Sequence, residues 1–238
     1  ELENTQIQLL QSEKMASLGK LAAGVAHQLN NPLGGITLSS RLMLEEYELP
    51  EGALQDLNRI LKDAERCRDT VKELLEFARQ TRHEMRPLDI NRAITRTLFL
   101  LENQSLFQNI TIDRQLSDAV PTVQGNAQQL NHMFMNIILN AAQAMEGHGT
   151  LTLITRLGET GDRVVIEIAD TGPGISEDIL PHIFEPFFTT KEEGEGTGIG
   201  LSLVYGIVEN HEGKIRAVNN TPSGTRFIIE LPLSTAEN

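Results

Sequence analysis

Apolar residues return at three- and four-residue steps through the opening stretch, where Leu18, Leu21, Val25, Leu29 and Ile36 share one stripe at about 100° per residue. The spacing predicts an amphipathic helix running to about residue 46. Leu2 and Leu9 stand one heptad apart among polar positions, so residues 1–15 read as a coiled-coil lead-in. Pro32 falls inside the run; it removes a backbone donor and crowds the preceding turn, which predicts a bend there rather than an end. The acidic segment Glu45-Glu46-Tyr47-Glu48-Leu49-Pro50-Glu51-Gly52 then breaks the pattern. A second helix follows, with Leu54, Leu57, Leu61, Ala64, Val71, Leu74 and Ala78 on one face. So short a connection predicts an antiparallel hairpin. Each stripe needs more than one neighbour, and pairing two chains into a four-helix bundle supplies it.

Beyond Arg82 the pattern changes. Residues 84–90, around Met85-Arg86-Pro87-Leu88, read as a connector. Residues 91–238 mix helical and alternating runs and hold most of the glycines. Helices are expected near 91–104, 126–146 and 200–211, and strands near 109–115, 150–157, 163–170, 214–218 and 226–231. The whole is an α+β multidomain chain: a helical hairpin over 1–83, a linker, and a sheet covered by helices.

Composition narrows the field. The chain has 238 residues, enough for one or two ordinary cores. Its net charge of -13 argues against a nucleic-acid surface, and any anionic ligand needs local help. No window approaches a membrane span and no leader pattern opens the chain. The sequence starts without Met inside a helical pattern, which reads as a cytoplasmic fragment of a longer protein whose anchoring to a membrane stays open. The lone Cys67 allows neither an internal disulfide nor a CxxC metal site; its helical position predicts a buried small side chain.

Four stretches carry candidate chemistry. His27 is rotated by about 200° from Val25, away from the apolar stripe, and Asn31 lies one turn further along that outward face. A neutral imidazole there is a competent nucleophile near pH 7, a surface histidine being the plain alternative. The helix from Asn126 to Met145 contains no charged residue, although the chain is acidic. Gln129, His132, Asn140 and Gln143 fall within about 40° of Asn136 on a helical wheel, so the polar stripe is entirely neutral. Side-chain oxygens four residues apart on it suit a hard cation such as Mg²⁺.

Asp170-Thr171-Gly172-Pro173-Gly174-Ile175 follows the apolar alternation of Val164 to Ile168. An acid at a strand end followed by spaced glycines admits a flat ligand and accepts from an exocyclic amine; alternatively it is a turn. Gly194-Glu195-Gly196-Thr197-Gly198-Ile199-Gly200-Leu201-Ser202 opens a helix, and backbone NH groups in such a loop cradle phosphates. It lacks a Walker lysine and the Rossmann context. Between them, Ile183-Phe184-Glu185-Pro186-Phe187-Phe188-Thr189-Thr190-Lys191 has the composition of a lid with apolar anchors.

In order, His-x-x-Asn-Asn-Pro-Leu, Asn-x-x-x-Asn-Ala, Asp-x-Gly-x-Gly-Ile, Phe-Glu-Pro-Phe-Phe and Gly-Thr-Gly-x-Gly-Leu resemble the sensor histidine kinases of two-component signalling. The match spans nearly the whole chain. The resemblance implies a dimerisation and phosphoacceptor hairpin followed by an ATP-binding catalytic domain, an α/β sandwich of the Bergerat, or GHKL, fold. Position by position it implies His27 as phosphoacceptor, Asn136 and Asn140 as the Mg²⁺ and phosphate residues, and Asp170 as the adenine partner. It implies that Gly172 and Gly174 shape the base pocket and that Gly196, Thr197, Gly198, Ile199, Gly200 and Leu201 form the phosphate loop. Thr225 resembles the family's late adenine-side threonine, and Lys191 is either a phosphate contact or a plain surface lysine. Implied partners are a second copy of the chain and the receiver domain of a response regulator, whose aspartate takes the phosphoryl group. Asn31 matches a position associated in the family with orienting water for dephosphorylation of that partner.

One residue departs from the pattern. The family usually has Glu or Asp directly after the acceptor histidine, and here it is Gln28. An amide can hydrogen-bond an imidazole but is no general base near neutral pH. Two other readings therefore stand beside the autokinase: a pseudokinase or scaffold, supported by Gln28, and a non-kinase GHKL ATPase. The latter tends to carry a Glu on the asparagine helix, where this chain has none.

Overall fold

The computed structural model describes residues 28–78, 84–191 and 196–234. His27, the lead-in at 1–15, Arg82 and the Gly194-Glu195 start of the glycine loop lie outside the described residues. The chain divides into two compact units, Glu1–Arg82 and His83–Asn238.

In the first unit, α1 (residues 28–46) continues through Pro32 without interruption. One turn beyond the proline, Thr37 Oγ1 donates back to the Leu33 carbonyl at 2.9 Å. After a short turn, α2 (Glu51–Ala78) returns along α1. Leu57, Ala64 and Val71, one heptad apart, are its buried side chains, with Ser40 buried from α1. Leu54 and Leu61 are half-buried, and the side chains of 73–78, Leu74 and Ala78 included, lie outside the described set. Arg41 meets Glu65 across the hairpin at 3.1 Å. At that exposure the pair fixes register more than it adds stability.

Cys67 is exposed, contrary to the expectation of a buried small residue. It follows Ala64 by three positions, which turns it about 60° off the buried row. Ile60 occupies the equivalent place one heptad earlier and is also exposed, as are Ile36, Leu38, Leu42 and Met43 on α1. Packing within the hairpin covers one side of each helix and leaves these apolar side chains exposed.

The second unit opens with β1 (Arg86–Leu88), inside the stretch expected to be a linker; it pairs antiparallel with β3 (Val123–Gly125). Three-residue strands are too short to show alternation, and Pro87 argues against one, so this ribbon left no legible pattern. α3 (Ile90–Leu101) starts at Asp89, whose carboxylate accepts from the Arg92 backbone at 3.0 Å, an ordinary N-cap. Then come β2 (Asn109–Leu116), α4 (Ala127–Ala144), β4 (His148–Leu157), β5 (Arg163–Ala169), α5 (Gly200–Asn210), β6 (Lys214–Asn219) and β7 (Thr225–Pro232). The five-stranded sheet has the order β2-β4-β5-β7-β6. β2 and β4 are parallel, and every other pair is antiparallel.

Strand alternation decides what each face does. Val164, Ile166 and Ile168 of β5, with Leu151 and Leu153 of β4 and Phe227, Ile229 and Leu231 of β7, are buried in the core. Ile94 and Leu98 of α3, Leu130, Phe134, Ile137 and Ile138 of α4, and Val204 and Val208 of α5 fill the same core from the helical layer. Residues of opposite parity place Arg156, Glu167 and Arg226 on the other side of the sheet. There Glu167 is gripped by both guanidiniums, at 3.0 Å each. α4 is thus fixed by its apolar face, and its neutral amide face is left for another purpose.

Candidate active site

Asp170 stands at the end of β5, 3% exposed. Its Oδ1 accepts two backbone NH groups, from Gly172 at 2.9 Å and Thr225 at 3.0 Å, and its own NH donates to the Thr225 carbonyl at 2.9 Å. Those bonds aim the carboxylate and leave Oδ2 uncommitted to the backbone. Burial pushes the carboxyl's pKa up, opposed by the Thr225 and Gly172 NH groups. Gly224 makes this geometry possible: at φ +105° it passes so close that any side chain there would collide with the Asp170 carbonyl. Thr225 is itself buried, and Gly172 and Gly174 lie in the loop leaving Asp170.

The amide stripe is real. α4 begins at Asn126, whose Oδ1 accepts from the Gln129 backbone at 3.0 Å while its own NH donates to His211 Nε2 at 3.0 Å. His211, buried at the end of α5, pairs its other ring nitrogen with the Ile207 carbonyl at 2.7 Å. The ring is therefore neutral, with Nδ1 the donor, and burial pushes its pKa down against the Ile207 bond. Asn136 Nδ2 donates to the His132 carbonyl at 3.0 Å, which turns Oδ1 outward. A Cβ at Gly200 would stand 2.8 Å from that oxygen, so glycine lets the start of α5 lie directly against Asn136.

One turn on, Asn140 Oδ1 accepts from the Lys191 ammonium at 3.4 Å, and Gln143 Oε1 accepts from it as well. The stripe already holds a cation on its oxygens. Carboxamide oxygens are hard donors of the kind a divalent cation takes; Asn136 and Asn140 are the residues that would hold one, with the Lys191 ammonium displaced from Asn140. Among the described residues no group of three His, Cys, Asp or Glu side chains could hold a metal.

The glycine loop runs into α5 at Gly200. Thr197 Oγ1 accepts from the Ile199 backbone at 3.3 Å, and the Gly198 carbonyl accepts from Phe187 NH at 2.9 Å. Ile199 is buried, so it can offer a ligand only backbone; Leu201 is half-buried, as are Gly196 and Gly200. The expected apolar anchors are present. Phe184 packs on Tyr205 of α5, centroids 5.7 Å apart, and edge-on to Phe227 of β7 at 6.4 Å. Asp170, Thr225, Asn136, Asn140, Lys191 and the loop at 196–201 thus all belong to the second unit. Gln28 and Asn31 are exposed on α1 of the first. The sequence reading missed Gln143 as a cation ligand, His211, and the pair Asn219-Asn220 beside Asp170. Gln143 was already visible on the stripe, whereas nothing in periodicity marks the others.

A mixed sheet under three helices, with a buried acid at a strand end and an uncharged amide-bearing helix, makes the second unit an α/β sandwich, and the first unit is a helical hairpin. Residues 125–235 match the family described as histidine kinase-, DNA gyrase B-, and HSP90-like ATPase, and residues 17–84 match the His Kinase A (phospho-acceptor) domain. The chain belongs to the sensor histidine kinases of two-component signalling. It is 35% identical over 229 residues to sensor histidine kinase ZraS of Escherichia coli O157:H7, covering 96% of this chain and 49% of that protein. The chain thus spans about half the length of the curated relatives it matches first. Full-length ShkA in complex with AMPPNP superposes with a TM-score of 0.77 at 26% identity, over 92% of this chain and 47% of that one. Histidine kinase ThkA in complex with response regulator protein TrrA does so with 0.67 at 26% identity, over 97% and 66%.

Proposed function

We propose that this chain is an ATP-dependent protein-histidine autokinase, with residues 1–83 as dimerisation and phosphoacceptor hairpin and 91–238 as catalytic domain. The adenine amine donates to Asp170 Oδ2, with Gly172, Gly174 and Thr225 shaping the base pocket. The phosphates lie along Gly196, Thr197, Gly198, Ile199, Gly200 and Leu201, with Lys191 as a counter-charge. Mg²⁺ held by Asn136 and Asn140 would neutralise phosphate charge. A ring nitrogen of His27 attacks the γ-phosphorus. The P–N bond forms as the bond to the terminal oxygen of ADP breaks, and the imidazole proton leaves to solvent, since Gln28 cannot take it.

The phosphohistidine then passes its phosphoryl group to an aspartate on a response-regulator receiver domain, as the ThkA–TrrA complex leads one to expect. Asn31 orients water for dephosphorylation of that partner, which releases inorganic phosphate and regenerates the aspartate. Two chains pair through the uncovered apolar stripes of α1 and α2. No helix among the described residues is long and apolar enough to cross a membrane; we assign the fragment to the cytoplasm, and the longer protein to either a soluble or an anchored form.

The observation that carries this reading is the uncharged face of α4, whose amide oxygens take a cation, in the same unit as the buried and aimed Asp170. Incubation with γ-labelled ATP and Mg²⁺ tests it. Acid-labile, alkali-stable label that disappears in His27→Ala is the expected result. ATP binding without label indicates the pseudokinase that Gln28 favours, and steady phosphate release without a phosphoenzyme indicates an ATPase.

A further inference from the structure

Resting on that nucleotide reading, we infer that Asn219 and Asn220 are positioning residues for purine recognition, a two-pronged clamp that holds both ends of the Asp170–Ile175 loop. The two adjacent amides leave β6 and reach opposite ends of the segment. Asn219 Oδ1 accepts from the Ile175 NH at 2.8 Å, and its Nδ2 donates to the Ile175 carbonyl at 2.8 Å. One side chain thereby replaces a strand partner for that residue. Asn220 Nδ2 donates to the Asp170 carbonyl at 3.1 Å, while its Oδ1 accepts from Arg226 Nη2 at 3.0 Å.

Arg226 is fixed in turn. Its Nη1 donates to Glu167 Oε2 at 3.0 Å, and Glu167 Oε1 accepts from Arg156 at 3.0 Å. Glu167 is buried, so the guanidinium between it and Asn220 has one favoured setting. That setting decides which way the Asn220 amide points, since an acceptor must face Arg226 and the donor is then left for Asp170. A line of hydrogen bonds runs from the solvent-facing side of the sheet to the backbone of the residue that meets adenine. Two backbone NH groups orient the Asp170 side chain, and the clamp orients the backbone that carries it. The phosphate loop at 196–201 makes none of these contacts, so the clamp serves the base and not the triphosphate.

Asn220→Asp separates this role from a merely structural one. The carboxylate keeps the acceptor for Arg226 and the shape of the side chain, but it cannot donate to the Asp170 carbonyl. The unsubstituted protein and the variant are titrated calorimetrically with Mg²⁺-ATP, Mg²⁺-GTP and inorganic tripolyphosphate with Mg²⁺. ATP affinity is expected to fall roughly five- to tenfold, the worth of one lost hydrogen bond. The preference for ATP over GTP should fall with it, and tripolyphosphate binding should be unchanged. Asn219→Ala, which releases the other end of the loop, carries the same expectation and serves should Asn220→Asp fail to fold. Unchanged ATP affinity and selectivity in a folded variant overturns the clamp alone. Failure of the unsubstituted protein to take up ATP overturns the nucleotide reading and the clamp with it.

Discussion

Replacing Asp170 by Asn separates what the carboxylate does for a ligand from what it does to the fold. The amide oxygen can take the place of Oδ1 and keep the Gly172 and Thr225 NH groups, at 2.9 and 3.0 Å. The amide nitrogen then stands where Oδ2 was, a donor facing a donor. A hydrogen bond to a charged group is worth about 1.5–3 kcal/mol, so ATP affinity should drop roughly 10- to 150-fold. The ligand-free protein should respond in the opposite sense. Burial raises the carboxyl's pKa in the fold, so its contribution to stability is present below the unfolded pKa of about 3.9 and lost as pH rises through the folded value. Asn does not titrate. Asp170→Asn should therefore melt above the parent at pH 7–8 without nucleotide, and the gap should close toward pH 4. Isothermal titration with Mg²⁺-ATP and thermal melts across that range measure both effects. A variant that binds ATP like the parent, or that melts below it at every pH, refutes the reasoning.

Further expectations follow from residues outside the base pocket. Gln28→Glu restores a group able to accept the imidazole proton, and base catalysis is typically worth about 10²- to 10⁴-fold, so initial phosphohistidine formation should rise at least toward the lower figure; equal rates would sink the idea. Asn31→Ala should lose dephosphorylation of the phosphorylated receiver partner while still forming phosphohistidine, and an unaltered dephosphorylation rate removes Asn31 from that role. Ile60, exposed on α2, should be covered when two hairpins pair; Ile60→Asp should shift the chain to monomer by light scattering, and an unchanged dimer mass would place the interface elsewhere. His211 has a depressed pKa, so the stability it contributes is present above the unfolded value of about 6.5 and lost as pH falls through the folded one. Its protonation turns the Nε2 acceptor of Asn126 into a donor, so the melting temperature should decline between pH 7 and 5 more steeply in the parent than in His211→Gln; parallel profiles contradict this.

What the sequence made legible was whatever a repeating pattern encodes. The neutral polar row at 129, 132, 136, 140 and 143 emerged from a wheel because α4 is regular and the uncharged face is unusual in a chain of net charge -13. The strands at 163–169 and 225–232 showed through alternation for the same reason. Cys67 differs from expectation because periodicity places a residue on a helix but does not say which sides of it are covered, and α1 covers the row of Leu57, Ala64 and Val71 and not the side bearing Cys67. The β1–β3 ribbon was missed because three residues cannot display a period. Asn219, Asn220 and His211 were invisible for a different reason. Each acts on backbone 44, 50 and 85 residues distant, and no local window contains both partners.

The uncharged face of α4 also sets how a nucleotide reaches the protein. A chain of net charge -13 repels a polyanion, a repulsion felt mainly within a Debye length, about 8 Å at physiological ionic strength, and α4 itself adds no charge to offset it. The net charge therefore opposes encounter, and the Lys191 ammonium resting on the stripe offsets it locally. Added salt screens the repulsion, so the association rate constant rises with ionic strength where cationic phosphate sites lose theirs. A nucleotide that binds tightly against that repulsion must leave slowly, so residence time, rather than capture, is the quantity that Asp170→Asn and Asn220→Asp should shorten.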